Sequence, residues 1–175
     1  MDDILKGKKI LMVDDEPDVL EQLRELLDMC IVDTAPSFET AQKFLNKNTY
    51  DMAIFDIMGV RGYDLLELAN QKGLPALMLT AHALTPDNLV KSIKEGAQSY
   101  VPKEKIFDIT TYLTDILKAH EKGIEKHGTW FARLKQFFDK KFGPGWKEEH
   151  KEFWQEFDKT YLVSKHQFSQ NVKST

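Results

Sequence analysis

The sequence predicts an α/β fold, a parallel β-sheet with helices on both faces, followed by a helical appendage. Three observations carry this. Short apolar runs (Ile10-Leu11-Met12-Val13, Met52-Ala53-Ile54-Phe55, Ala76-Leu77-Met78-Leu79) alternate with longer amphipathic stretches, the pattern of repeated βα units. Each run stops at a polar group: Asp14-Asp15, Asp56, Thr80-Ala81 and, after the short Tyr100-Val101, Pro102-Lys103. Beyond Gly123 the pattern becomes aromatic-rich at helical spacing.

Strand 1 is expected over 9–14. Helix 1 follows over 17–29: Pro17 suits a first turn, and Val19, Leu20, Leu23, Leu26 and Leu27 share one stripe. Strand 2 is expected over 30–34 and helix 2 over 37–48, with Ser37 as N-cap. Strand 3 takes 51–56; helix 3 takes 62–72 and is closed by Gly73. Strand 4 spans 76–80. Helix 4 spans 86–95, with Thr85 as N-cap, Pro86 at the first position and Gly96 just past the end. Strand 5 at 98–101 and helix 5 at 106–121 complete five βα units.

In the remainder, Trp130, Phe131, Leu134, Phe137, Phe138 and Phe142 recur at helical spacing, and Gly143-Pro144-Gly145 breaks the chain. Trp146, His150, Phe153, Trp154, Phe157 and Tyr161 form a second stripe. The reading is an αα-hairpin over 124–142 and 146–163, with 164–175 a frayed polar end. Residues 1–122 and 123–175 are therefore taken as two units. A lone hairpin cannot bury this much aromatic surface, so the stripe must meet either the chain's own helix 5 and neighbours or a second copy.

Composition narrows the classes. A 175-residue chain with 42% hydrophobic residues suits one domain with an appendage, or two small ones. No apolar run approaches the roughly 18–20 residues that cross a bilayer, and Met1-Asp2-Asp3-Ile4 does not begin a signal peptide. The single Cys30 allows no internal disulfide; together these features predict a cytoplasmic protein. The net charge of −4 divides into −7 over 1–120 and +3 over 121–175. Charges of both signs are interspersed in the basic part, as on a solvated helix face, so no nucleic-acid partner is expected. His120, His127, His150 and His166 stand at no metal-ligand spacing and read as surface or helix residues.

In an open parallel sheet the carboxyl ends of the strands line one crevice. Asp14, Asp15, Asp56, Thr80 and Lys103 would meet there, and clustered acids call for a hard divalent cation such as Mg2+. With Val13-Asp14-Asp15-Glu16-Pro17, Phe55-Asp56-Ile57, Leu79-Thr80-Ala81-His82 and Gly96-Ala97-Gln98-Ser99-Tyr100-Val101-Pro102-Lys103 in that order, the chain resembles the receiver domain of two-component response regulators. The resemblance covers roughly residues 7–120, and residues 121–175 resemble no effector domain. It implies a flavodoxin-like strand order 2-1-3-4-5. It also implies that Asp56 accepts a phosphoryl group from a histidine kinase or phosphotransfer protein. Mg2+ would be held by Asp15, Asp56 and the Met58 carbonyl, with Asp14 acting through water. Lys103 would pair with the phosphoryl oxygens, Thr80 would donate its hydroxyl to them, and Tyr100 would move inward behind Thr80. Met58 and His82 occupy positions that tune phosphate loss. Output would be protein–protein contact, with no enzymatic activity beyond self-phosphorylation and autodephosphorylation. Members often dimerise through the helix 4–strand 5–helix 5 face, so a homodimer involving the C-terminal helices is expected, with the hairpin folded back on its own chain as the alternative.

Two departures from the family pattern stand out. Gly62 arrives two residues early after Asp56, in a loop without the usual proline. Glu104 replaces the proline that usually follows the lysine; a cis Lys–Glu bond would cost about 2.5–4 kcal/mol, so a trans bond is expected. Two other functions stay beside the leading one. A receiver-like adaptor or dimerisation module that is not phosphorylated would keep the fold alone. An aspartate-based phosphohydrolase would need a second acid two residues after its nucleophile, which Asp56-Ile57-Met58 lacks.

Overall fold

The structure, a computed structural model, describes residues 3–123 and 127–159. The start of the hairpin at 124–126, its end at 160–163 and the tail 164–175 lie outside the described residues. In chain order the elements are β1 (Lys9–Val13), α1 (Pro17–Leu26), β2 (Ile31–Ala35), α2 (Phe38–Lys47), β3 (Met52–Phe55), α3 (Gly62–Gln71), β4 (Ala76–Thr80), α4 (Pro86–Lys94), β5 (Ser99–Pro102), α5 (Ile109–Lys122) and α6 (His127–Phe142).

The five strands form one parallel sheet in the order β2-β1-β3-β4-β5. Every residue of β3, β4 and β5 is buried, as continuous apolar strands covered on both faces require. Local chemistry sets several ends. Ser37 Oγ accepts the Thr40 N–H (3.2 Å) ahead of α2, and Thr85 Oγ1 accepts the Asn88 N–H (3.1 Å) ahead of α4. Gly96 follows α4 at φ +94°, where a side chain would be strained.

Within the five βα units most boundaries lie within one residue of the sequence reading, and two depart from it by three. Helix 1 ends at Leu26 rather than 29, because the Met29 carbonyl accepts the Gly7 N–H and Ile31 donates to Lys8 O, turning the chain into β2. Helix 5 begins at Ile109 rather than 106, after a 3-10 segment at Lys103–Asp108 that breaks helical geometry at Lys105. The edge strand β2 exposes Ile31 (56%), while Asp33 at its centre accepts the Tyr50 hydroxyl (2.7 Å).

The C-terminal helices form the expected hairpin. After α6 the chain turns through Gly143 and Gly145, both at positive φ, into a 3-10 turn at Glu148–His150 and helix over 151–159. Trp130, Phe131, Leu134, Phe138, Trp154 and Phe157 are buried. Phe131 lies 5.5 Å from Trp154 and 4.9 Å from Phe157 between ring centroids, closing the two arms on each other. The hairpin lies against α4, β5 and α5. Its rim is fastened by Arg133 to Asp115 (2.7 Å), Lys141 to Glu104 (3.0 Å) and His150 to Asp87 (2.7 Å). Trp130, Phe131, Phe138, Trp154 and Phe157 thus find cover within one chain, as in the fold-back alternative, and Phe137 and Phe153 are partly buried. His150, read from sequence as a plain helix residue, is one of the fastenings.

Leu134, on α6, is fully buried within the hairpin's apolar face. Leu134→Ala is expected to destabilise the protein by about 2–5 kcal/mol, measured by urea unfolding followed through tryptophan emission. A loss below 0.5 kcal/mol, on the order of an exposed substitution, would contradict the packing described.

Candidate functional site

The site is built where β1, β3 and β5 run out. Asp14 follows β1, Asp56 follows β3, and Lys103 opens the 3-10 segment after β5. Lys103 Nζ lies 2.8 Å from Asp14 Oδ2, 3.1 Å from Asp56 Oδ2 and 3.1 Å from Glu16 Oε1. Asp14 and Asp56 are only 2% and 3% exposed, so a charge there has little water to lean on. Each also accepts a backbone N–H: Asp14 from Glu16 (2.9 Å) and Asp56 from Ile57 (2.8 Å). Oxygens of Asp14, Asp15, Glu16 and Asp56 all lie within 4.8 Å of one another, so Asp15, although exposed, belongs to the same group.

The electrostatics follow from burial and pairing. Burial pushes the Asp14 and Asp56 carboxyls above their ordinary values, and the Lys103 ammonium only partly offsets this. Burial alone would lower Lys103, but the hydrogen bond and charge of Asp14, with Asp56 and Glu16, outweigh it and hold the ammonium firmly protonated. Glu16 is lowered by its hydrogen bond from Lys103. Glu16 was not singled out in the sequence; its place in the Asp14-Asp15-Glu16-Pro17 run was the available signal.

The short loop after Asp56 closes tightly. Gly62 donates its N–H to Ile57 O (3.0 Å), and a Cβ on Gly62 would sit 2.0 Å from the Asp56 carbonyl oxygen. Arg61 takes a left-handed conformation (φ +55°), which costs a non-glycine residue about 1–2 kcal/mol. Its guanidinium pairs with Asp64 (2.9 Å) and lies 4.0 Å over the Phe38 ring. Gly59 brings the backbone so close to Asp15 that a Cβ there would meet the carboxylate at 2.3 Å. Met58, beside it, leaves its side chain half exposed.

Thr80 and Tyr100 converge on Ala83 rather than on the acids. Thr80 Oγ1 accepts the Ala83 N–H (3.2 Å). The Tyr100 hydroxyl donates to Ala83 O (2.8 Å) and accepts from Thr85 N (3.3 Å). Both side chains are fully buried, with the Tyr100 ring turned inward. His82 is exposed at the rim, its Nε2 3.6 Å from Glu16 Oε1.

A family model for the response regulator receiver domain matches residues 10–114. The chain belongs to the response regulator receiver family. Its receiver is 36% identical over 110 residues to the two-component response regulator ARR10 of Arabidopsis thaliana, covering 59% of this chain and 20% of that protein. It is 36% identical over 113 residues to the heme response regulator HssR of Staphylococcus aureus, covering 59% of this chain and 50% of that protein. The match therefore spans no more than half of either relative. Among solved structures, the receiver resembles a response regulator receiver domain protein of Methanospirillum hungatei (TM-score 0.61, 26% identity, 67% of this chain and 99% of that one). A response regulator from Chloroflexus aurantiacus gives a TM-score of 0.58 at 31% identity, over 65% of this chain and 99% of that one.

The receiver's departures from the family pattern now have physical accounts. Gly59, Arg61 and Gly62 supply the backbone that the shorter loop needs. No cis peptide occurs among the described residues, so Lys103–Glu104 is trans, and Glu104 is used by Lys141 of the hairpin.

Replacing Lys103 removes the only cation that touches Asp14 and Asp56 among the described residues. Lys103→Met is expected to cost about 3–5 kcal/mol at neutral pH. The folded-state pKa values of the two acids then stand further above the unfolded value of about 3.9. Between the unfolded and folded values the folded state holds more protons, so stability falls as pH rises. Urea titrations across pH should show the deficit absent below the unfolded value and complete above the folded ones. A pH-independent deficit would contradict the pairing.

Proposed function

We propose that this receiver accepts a phosphoryl group on Asp56 from a histidine kinase or phosphotransfer protein, in a Mg2+-dependent reaction, and signals by protein–protein contact. In this reading residues 1–122 are the receiver and 123–175 an attached helical extension. The supporting observation is the convergence of Lys103 on buried Asp14 and Asp56, with Asp15 beside them.

The clustered acids offer only oxygen, which suits a hard cation; Asp15, Asp56 and the Met58 carbonyl would hold it, with Asp14 acting through water. Bound there, the ion would supply positive charge that offsets the anions of the acids and of the phosphoryl group. The chain's own residues do the rest. An Asp56 carboxylate oxygen forms the bond to phosphorus as the bond to the donor's nitrogen breaks, giving an acyl phosphate. Lys103, already within 3.1 Å of Asp56, moves its ammonium onto the new oxygens, where a point charge suffices. Thr80 gives up the Ala83 N–H and turns its hydroxyl to the phosphoryl group, and Tyr100 remains behind it. A single such hydrogen bond contributes about 0.5–1.5 kcal/mol net, enough to move a nearly balanced equilibrium.

Asp56→Asn should abolish labelling by acetyl phosphate, since the amide is a poor nucleophile; mass spectrometry that finds an undiminished adduct on this variant would remove Asp56 from the role. Mg2+ affinity should fall further in Asp15→Asn than in Asp14→Asn, because a direct ligand contributes more than one acting through water. Equal losses in calorimetric titrations would contradict that division.

A further inference from the structure

The proposed switch ends at Tyr100, where the receiver meets the hairpin. Tyr100 lies in β5, the edge strand on which α6 packs. On one side its hydroxyl is tied to Ala83, which also holds Thr80. On the other side its ring meets Phe138 of α6 at 6.1 Å between centroids, tilted by 42°. Phe138 has no room to yield: it is fully buried and stacked on Phe142 at 5.5 Å and 3°. The fastenings at Asp87, Glu104 and Asp115 tie the hairpin to α4, to the segment before α5 and to α5. A Tyr100 ring turning outward would have to enter the volume that the hairpin fills.

We infer that Phe138 is a positioning residue that holds Tyr100 inward, so that the docked hairpin biases the receiver toward the arrangement favoured by a phosphoryl group on Asp56. The inference rests on the phosphoacceptor reading above. Linkage makes the effect reciprocal: whatever favours inward Tyr100 tightens the hairpin, and a docked hairpin strengthens retention of the phosphoryl group. By the same linkage, phosphorylation clamps the hairpin rather than releasing it.

The test uses the full chain labelled with 3-fluorotyrosine, whose five tyrosine signals are assigned for this site by Tyr100→Phe. Fluorine NMR reports the Tyr100 ring, and titration with beryllofluoride and Mg2+ reports affinity for an acyl-phosphate mimic. Tryptophan emission, which comes only from Trp130, Trp146 and Trp154 of the hairpin, checks that each variant keeps the hairpin folded. In Phe138→Ala a second, solvent-exposed Tyr100 signal should appear without the mimic, and affinity for the mimic should fall about 5–20-fold. Phe138→Leu should restore part of both. Arg133→Glu, which breaks the Asp115 fastening without touching a buried residue, should act in the same direction, and adding Asp115→Arg should reverse it. Binding of the mimic with an unchanged Tyr100 signal in Phe138→Ala and Arg133→Glu overturns this inference alone. Tighter binding in those variants overturns it as well, by making the hairpin a brake. No binding of the mimic by the wild-type chain overturns the phosphoacceptor reading, and this inference with it.

Discussion

The Lys103 ammonium, nearly buried among Asp14, Glu16 and Asp56, is the interaction on which the rest is arranged. It joins the ends of β1, β3 and β5 at one point, although those residues are distant in sequence. A single cation cannot balance Asp14, Asp15, Glu16 and Asp56, so the site retains an excess of negative charge at a place where burial already disfavours it. That excess is held in place by the sheet, whose β1 and β3 are central strands paired on both sides. The crevice is therefore electrostatically incomplete without added positive charge, and rigid enough not to relieve the repulsion by spreading apart.

The hairpin solves a different problem. Its rings form a second apolar cluster continuous with the receiver's core through Tyr100 and Phe138. Glu104 shows how closely the two parts are fitted. Where the family pattern has a proline after the lysine, this chain has a carboxylate that reaches Lys141 of α6. The residue adjoining Lys103 is thereby tied to the extension, and the 3-10 segment that carries both is shared between the acid crevice and the hairpin.

What the sequence made legible were features with a local physical signature. Ala76-Leu77-Met78-Leu79 is a continuous apolar run because β4 is covered on both faces, and it was read at its true length. Ser37 and Thr85 announce their helices because the capping bond reaches only three residues ahead. Asp14, Asp56 and Lys103 could be named because a parallel sheet brings strand ends together. Less legible was whatever depended on a distant partner. The end of α1 is set by Gly7 reaching Met29. Ala83 joins Thr80 to Tyr100 solely through its backbone, a property every residue shares. The aromatic stripe declared that it must be buried, but composition measures apolar surface without naming the surface that will cover it.

The two edges of the sheet have met different fates. The hairpin lies along β5, while β2 remains the open edge. Its backbone could template another strand, and the exposed Ile31 adds an adhesive start. Asp33, midway along β2 and bonded to Tyr50, places a carboxylate where an incoming chain would have to exclude water. Protection from fibre-like stacking at high concentration thus rests on one acid remote from the Lys103 crevice, and on the shortness of a five-residue strand.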